Sequence, residues 1–291
     1  MRPKNSPAML NEEGATSEAQ LLELMALRAA GLPPRKLLRL FLSDEAKPAE
    51  LPLDLPTDID CYREMIEQAL PLAKEELARC RQAGITILPY FTSDYPVALH
   101  ALGGARPVLL YAKGDLGLLQ SPASILGIVG TRQPSPEGLA AAHRIAYEEA
   151  EKGRVILSGL AYGCDAAAHH GALEATGRTI AVIATGLDRA HPEAHHALQD
   201  RIIASGGLVL SEYPLATPAD TYRLVARDRL QAALCAELLV IECGAQSGTM
   251  HTVRFAERYR RPIFALPPHT DCLPSLEGNR QLLLSGRAKP W

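Results

Sequence analysis

The sequence predicts an α/β protein: an extended Rossmann-like, doubly wound, mostly parallel sheet preceded by a small helical unit. Three observations carry that prediction. From Ile125 onward, apolar runs of strand length (ILGIVG, RVILSG, TIAVIAT, GLVLSEY, ELLVIEC, PIFALP) alternate with longer amphipathic stretches rich in alanine, glutamate and arginine. Strands that are apolar at nearly every position are buried on both faces, and helices between them permit parallel pairing. Before residue 85 the apolar spacing is helical instead. A chain of 291 residues with 47% hydrophobic content also has enough core for a large domain and a small one.

Residues 1–15 are polar and are expected to be a disordered tail. A small helical domain is expected over 16–83. Leu21, Leu22 and Met25 recur at helical spacing, and after a break at GLPP so do Leu37, Leu38, Leu40 and Phe41. The proline-rich AKPAELPLDLPTDID reads as a linker, and CYREMIEQALPLAKEELARCRQAG as helix that Pro71 divides. The core is expected over 84–291. ITILPY and PVLLYAKG read as strands around a short helix beginning near Asp94, and the six apolar runs from Ile125 supply the parallel sheet.

The formal charge of −3 argues against a global polycation, so any nucleic acid must be held by a local basic pocket. Six scattered cysteines without a C-x-x-C pair point to reduced thiols rather than a disulfide framework or a zinc site. No apolar run approaches membrane-spanning length, and MRPKNSPAML lacks the apolar centre of a signal peptide. A soluble, cytoplasmic protein is expected, with no membrane partner.

In a doubly wound sheet, ligands sit outside the carboxyl ends of the strands. The residues there form a consistent set: Gly130-Thr131-Arg132, then Ser158-Gly159 with Gly163 and Asp165, Thr185 to Asp188, Ser211-Glu212-Tyr213, and Glu242 with Ser247-Gly248-Thr249. Glycines, small hydroxyls and helix N-termini suit anions, phosphate above all. One such turn is ordinary capping; five on one edge describe a site. The dinucleotide fingerprint G-x-G-x-x-G and a Walker lysine are both missing, since Gly159 and Gly163 stand four apart.

Catalytic arrangements are weaker. Ser158, Asp165 and His169 lack a G-x-S-x-G elbow, so Asp165 is expected to cap a helix and His169 to pack locally. His191, His195 and His196 have no evident third metal ligand and are expected to be solvated. Glu242 beside the Ser247 turn stays open as a group acting on a glycosidic bond.

The runs IVGTRQPSPEG, SGLAYGCDAAAHHGAL, TIAVIATGLDRAHPEAHHAL, LVLSEYPLATP, RDRLQAAL and LLVIECGAQSGTMHTVRFA, in this order, closely resemble the DNA-processing protein A family, also called Smf. The likeness runs from about Gly84 to Gly286. It implies a homodimeric bacterial protein that binds single-stranded DNA and loads the recombinase RecA onto it in natural transformation and recombination, without catalysis or cofactor. Contact with single-stranded DNA-binding protein and a part in DNA repair belong to the same expectation. AAGLPPRKLLRLF resembles the sterile-alpha-motif-like or helix-hairpin-helix segment that precedes this core. Many members carry a winged-helix domain after the core; with the sequence stopping at Trp291, that domain is expected to be either missing or removed.

The resemblance implies DNA contacts at Gly130, Thr131 and Arg132 (the family's G-S-R), at Ser158, Gly159 and Gly163, at Arg227 and Arg229 (its R-N-R-I), and at Ser247, Gly248 and Thr249 (its S-G-S). Guanidinium forks pair with phosphate oxygens, and glycine lets a strand approach. A phosphate beside Arg132 is also expected to meet the N-terminus of a helix starting near Ser135; the competing reading pairs Arg132 with Glu137. The chain departs from the family at Asp228, Leu224-Val225, His191, His195, Pro268 and Arg280, changes expected to cluster around the pocket. The alternative function is a Rossmann-like nucleotide-binding enzyme or sensor related to nucleoside-monophosphate phosphoribohydrolases. Against it, ECGAQSGTMHTVRFAE lacks that family's P-G-G, and Glu257 lies too far along.

Overall fold

A computed structural model describes residues 18–41, 59–270 and 273–291; the expected tail over 1–15 and most of the proline-rich linker lie outside the described residues. The helical unit comprises α1 (Glu18–Ala29), α2 (Pro34–Leu40) and α3 (Arg63–Gln82). The break at GLPP falls where expected, with Pro34 opening α2. Pro71 does not divide α3, which runs through it unbroken. Pro71 lies on the exposed side, where water can take the carbonyl it leaves unpaired, while Ala73, Leu77 and Cys80 continue the buried face.

β1 (Thr86–Pro89) and β2 (Leu109–Gly114) form an antiparallel pair. Between them, a 3-10 segment with a kink at Gly103 spans Val97–Ala105 in place of the short α-helix expected from Asp94. The alternating part follows: β3 (Ile125–Val129), α4 (Pro136–Glu151), β4 (Val155–Ser158), α5 (Cys164–Ala175), β5 (Thr179–Val182), α6 (His196–Ala204), β6 (Leu208–Ser211), α7 (Thr221–Leu234), β7 (Glu237–Val240), α8 (Thr249–Arg258), β8 (Ile263–Ala265), α9 (Glu277–Leu284) and β9 (Lys289–Pro290). The sheet order is β1-β2-β6-β5-β4-β3-β7-β8-β9, parallel from β6 to β9. Strands leave β3 in one direction through β6, then restart on its other side at β7. That reversal makes the carboxyl ends of β3 and β7 the switch point, where a doubly wound sheet binds its ligand.

Both faces of the sheet are covered, as continuous apolar strands require. Ala142, Ile145 and Ala146 of α4 and Ala168 and Ala172 of α5 pack on Leu126, Ile128 and Ile156. On the opposite face Leu230 and Leu234 of α7 and Val253 of α8 join a larger cluster that continues through β1 and β2 into Leu24, Leu27, Leu37 and Leu38 of the helical unit. Tyr90 Oη donates to Leu37 O at 2.8 Å, and Arg28 donates to Glu76 at 2.7 Å, tying the first helices to the sheet and to α3. Among the described residues, no helix is long and apolar enough to cross a membrane.

Candidate functional site

A cleft of about 510 Å³ opens at the switch point, between the β3 loop, the start of α5, one face of α7 and the start of α8. Seven of the eleven predicted contact residues line it: Gly130, Thr131, Arg132, Arg227, Ser247, Gly248 and Thr249. Gly159 lines a smaller hollow alongside, shared with Arg132, Tyr162, His191 and Arg227. Ser158, Gly163 and Arg229 line neither.

The β3 loop is held by close packing. Thr131 donates its N–H to Glu242 O at 2.7 Å and accepts from Cys164 N at 3.2 Å. Gly163, at φ +73°, lies so near this loop that a Cβ would stand 2.5 Å from Thr131 O and 2.8 Å from Arg132 C. The role of Gly163 is thus to seat α5 under the loop that carries Arg132. Ser158 is fully buried, donating to Ile128 O at 2.7 Å, and serves the sheet.

Arg132 itself is exposed and has no hydrogen bond or ion pair among the described residues. The competing reading gave it Glu137, but Glu137 stands 3.8 Å from His269 instead. The expected helix does begin beside it, with Ser135 as N-cap accepting from Gly138 N at 3.0 Å. That N-terminus is already filled, however. Buried Glu242 accepts from Ser135 N at 3.1 Å and Ser135 Oγ at 2.9 Å, and Ser275 Oγ donates to it as well. A carboxylate complements the helix dipole there, so α4 is not the phosphate seat that the sequence led us to expect. It also takes Glu242 away from the cleft, and a group so enclosed is not placed to act on a glycosidic bond. The unfilled donors belong to α8: its Gly248 N-cap has no side-chain cap, and Gly248 N and Thr249 N have no acceptor among the described residues. Ser247 Oγ is sealed from solvent, leaving this turn to act through its backbone.

The floor of the cleft is ionic. Arg227 is 5% exposed and donates from Nη1 to Gly159 O at 2.6 Å and to Val182 O, and from Nε to Asp228 at 3.2 Å. Gly159 leaves room for that contact, since a Cβ would stand 2.3 Å from Arg227 Nη1 and the guanidinium would have to shift. Asp165 accepts from Gly159 N at 3.1 Å and Ala161 N at 3.4 Å, so it caps the preceding loop rather than its own helix. Burial pushes Asp228 up to about 6 against the pull of Arg227, and raises Asp165 for the same reason. His169 is fully buried with Nδ1 2.8 Å from Thr179 Oγ1, and burial lowers it to about 3. It packs locally, as expected. Among the described residues no group of histidine, cysteine and carboxylate side chains has the arrangement of a metal site.

Arg229 belongs elsewhere. Its two Nη atoms grip Glu212 at 2.6 Å each, while Nε donates to Ala105 O at 3.0 Å. Two residues along a helix is a turn of about 200°, which points Arg227 and Arg229 to opposite faces of α7. The departures do not cluster as expected either. Asp228, Leu224 and Val225 line the cleft and His191 the hollow beside it, but Arg280 pairs with Glu277 at 2.7 Å and neither it nor Pro268 reaches the cleft. The sequence assigned no role to Tyr162, 48% exposed, lining the smaller hollow and edge-on to His195, or to Asn279. Buried Asn279 accepts from Cys243 N at 2.9 Å and donates to Ile241 O and Leu266 O, fixing the β7 loop. The aromatic inside SGLAYG was the available signal for Tyr162.

A family model of DNA recombination-mediator protein A matches residues 86–291. The chain is 38% identical to the Smf protein of Synechocystis over 200 residues, which are 66% of this chain and half the length of that relative. Its fold superposes on the crystal structure of DNA processing protein A from Streptococcus pneumoniae with a TM-score of 0.77 at 31% identity, over 93% of this chain and 94% of that one. Against DNA processing protein A of Helicobacter pylori, a structure described for its single-stranded DNA binding mode, the TM-score is 0.63 at 33% identity, over 71% and 90% of the two chains. The chain belongs to the DNA recombination-mediator protein A family.

Proposed function

We propose that the chain binds single-stranded DNA in the switch-point cleft and passes it to the recombinase RecA, acting in the cytoplasm during transformation and recombination. One observation carries the reading: Arg132, a guanidinium with no hydrogen bond or ion pair among the described residues, lines a cleft that also offers the unfilled N–H groups of Gly248 and Thr249. A phosphate suits that combination. The backbone of Gly130, Thr131 and Gly159 shapes the approach, and Arg227 lies beneath it with Nη2 free of acceptors among the described residues. The likeness to a protein described for single-strand binding supports the same reading. Binding rather than catalysis fits best, because Glu242, the carboxylate best placed in sequence, is enclosed by Ser135 and Ser275. We further propose a homodimer formed through the C-terminal end of the core, where Leu284 is 82% exposed and Trp291 partly so. Transfer to RecA, and contact with single-stranded DNA-binding protein, follow from the family alone.

The test is affinity for a labelled oligonucleotide across a range of salt, single strand against duplex, with wild type and Arg132→Ala. Tight single-strand binding that weakens about 10-fold or more in the variant supports the reading. Release of free base from AMP, with no oligonucleotide binding, would favour the phosphoribohydrolase alternative. Sedimentation at micromolar concentration tests the dimer, and a clean monomer contradicts it.

A further inference from the structure

The cleft holds two arginines, Arg132 and Arg227, against two aspartates, Asp165 and Asp228. A polyanion gains little net charge there and needs cations beyond it. Across α7 lies a larger groove of about 1040 Å³, between the helical unit, the Val97–Ala105 segment and the other face of α7. Four arginines and two glutamates line it. Two of the arginines are spent, Arg28 on Glu76 and Arg229 on Glu212. Arg106 is not. It is 7% exposed, its guanidinium lies 5.7 Å from the centre of the Tyr90 ring, and its Nε is sealed from solvent without an acceptor. It has no ion pair among the described residues. A buried cation left unpaired is costly, and a site that keeps one facing a groove is built for an arriving anion.

The rest of the groove says which anion. Tyr213, Tyr222 and Phe255 line it, and Tyr222 is 80% exposed on the first turn of α7. Flat aromatic surface beside a guanidinium fits a base and its phosphate together. Val225 lines both the groove and the cleft, so only the edge of α7 separates them. We infer that this groove is a second nucleotide-phosphate site, with Arg106 taking the phosphate and Tyr222 a base. A strand leaving the first cleft over α7 is one source of that nucleotide, and a free nucleotide is the other. The strand source rests on the single-strand reading above.

The experiment is fluorescence anisotropy with dTMP, an oligothymidylate of about 4 nucleotides and one of about 20, on wild type, Arg106→Gln and Arg132→Ala. A fall of about 10-fold for the long strand in Arg106→Gln, with a much smaller change for the short one, assigns the groove to the strand. Loss of dTMP binding in Arg106→Gln with long-strand affinity intact assigns it to a free nucleotide. Wild-type behaviour of Arg106→Gln towards every probe overturns the proposal. If Arg132→Ala still weakens strands in that case, the first cleft stands and only the groove fails. Should Arg106→Gln not fold, Tyr222→Ala, at an exposed position, takes its place with the same expected losses and the same overturning result. Competition by polyglutamate but by no nucleotide would assign the groove to an acidic peptide and overturn the proposal as well.

Discussion

Two hollows flank α7, and the arginines that face them differ in what they are free to do. On the switch-point side Arg132 makes no hydrogen bond or ion pair among the described residues, and Arg227 keeps Nη2 unoccupied above its bonds to Gly159 and Asp228. On the other side Arg229 spends both Nη atoms on Glu212 and its Nε on Ala105 O. The sequence places Arg227 and Arg229 in one motif, yet the helix sends one beneath a cleft and makes the other a clamp between α7, the end of β6 and the segment before β2. A residue type shared by two positions thus says little about role until its acceptors are counted.

That contrast predicts opposite phenotypes. Arg229→Ala strands Glu212, a carboxylate only 14% exposed, and should cost about 3–5 kcal/mol in urea unfolding while leaving the affinity of the folded protein for a short single strand near wild type. Unchanged stability with lost affinity would return Arg229 to the binding surface. Gly163→Ala comes next. It forces a side chain into φ +73° against Thr131 O and should cost about 1–3 kcal/mol. Because the displaced loop carries Arg132, affinity should fall with stability, and a melting temperature equal to wild type would contradict the packing described for the loop.

Asp228→Asn is the smallest change. In the folded protein this carboxyl titrates near 6, above its ordinary value of 3.8, because it is buried. Its contribution to stability is therefore full below its unfolded value and is lost as pH rises through about 6, where the buried charge forms. The same charge opposes a phosphate in the cleft. Wild-type affinity should tighten as pH falls from about 7 to about 5, and Asn should add on the order of 1 kcal/mol, about fivefold, at the upper end. Asp165, raised by burial, and His191, lowered by burial and Arg132, titrate in the same sense, so the variant should flatten the pH profile without abolishing it. An unchanged profile would show that Asp228 does not feel the ligand.

Much of the fold was legible. ILGIVG, TIAVIAT and ELLVIEC became β3, β5 and β7 because a strand buried on both faces must be apolar throughout. The carboxyl edge of the sheet was legible as the place for a ligand, but the switch point on that edge emerged only from the strand order of the folded sheet. Partner choice was not legible. Glu242 looked like a group facing a ligand, and only the fold brings Ser135, 107 residues away, to occupy it. Arg229 found Glu212 and Ala105 O in the same way, through contacts across 17 and 124 residues that no local pattern records. Pro71 failed as a helix breaker because the buried face of α3 runs past it. The glycines were read as points where a nucleic-acid strand comes close, whereas within the fold Gly163 admits a neighbouring loop and Gly159 admits Arg227.

If Arg132, and not Arg229, meets a phosphate of a single strand, salt dependence separates the two residues. The most direct measurement is the slope of log affinity against log salt for a short single strand, with Arg132→Ala and Arg229→Ala compared to wild type. Losing one phosphate contact should make the Arg132→Ala slope shallower by about 0.7, the value for one contact to a single strand. Arg229→Ala should keep the wild-type slope. Equal slopes for wild type and Arg132→Ala, or a shallower slope in Arg229→Ala alone, would contradict the account.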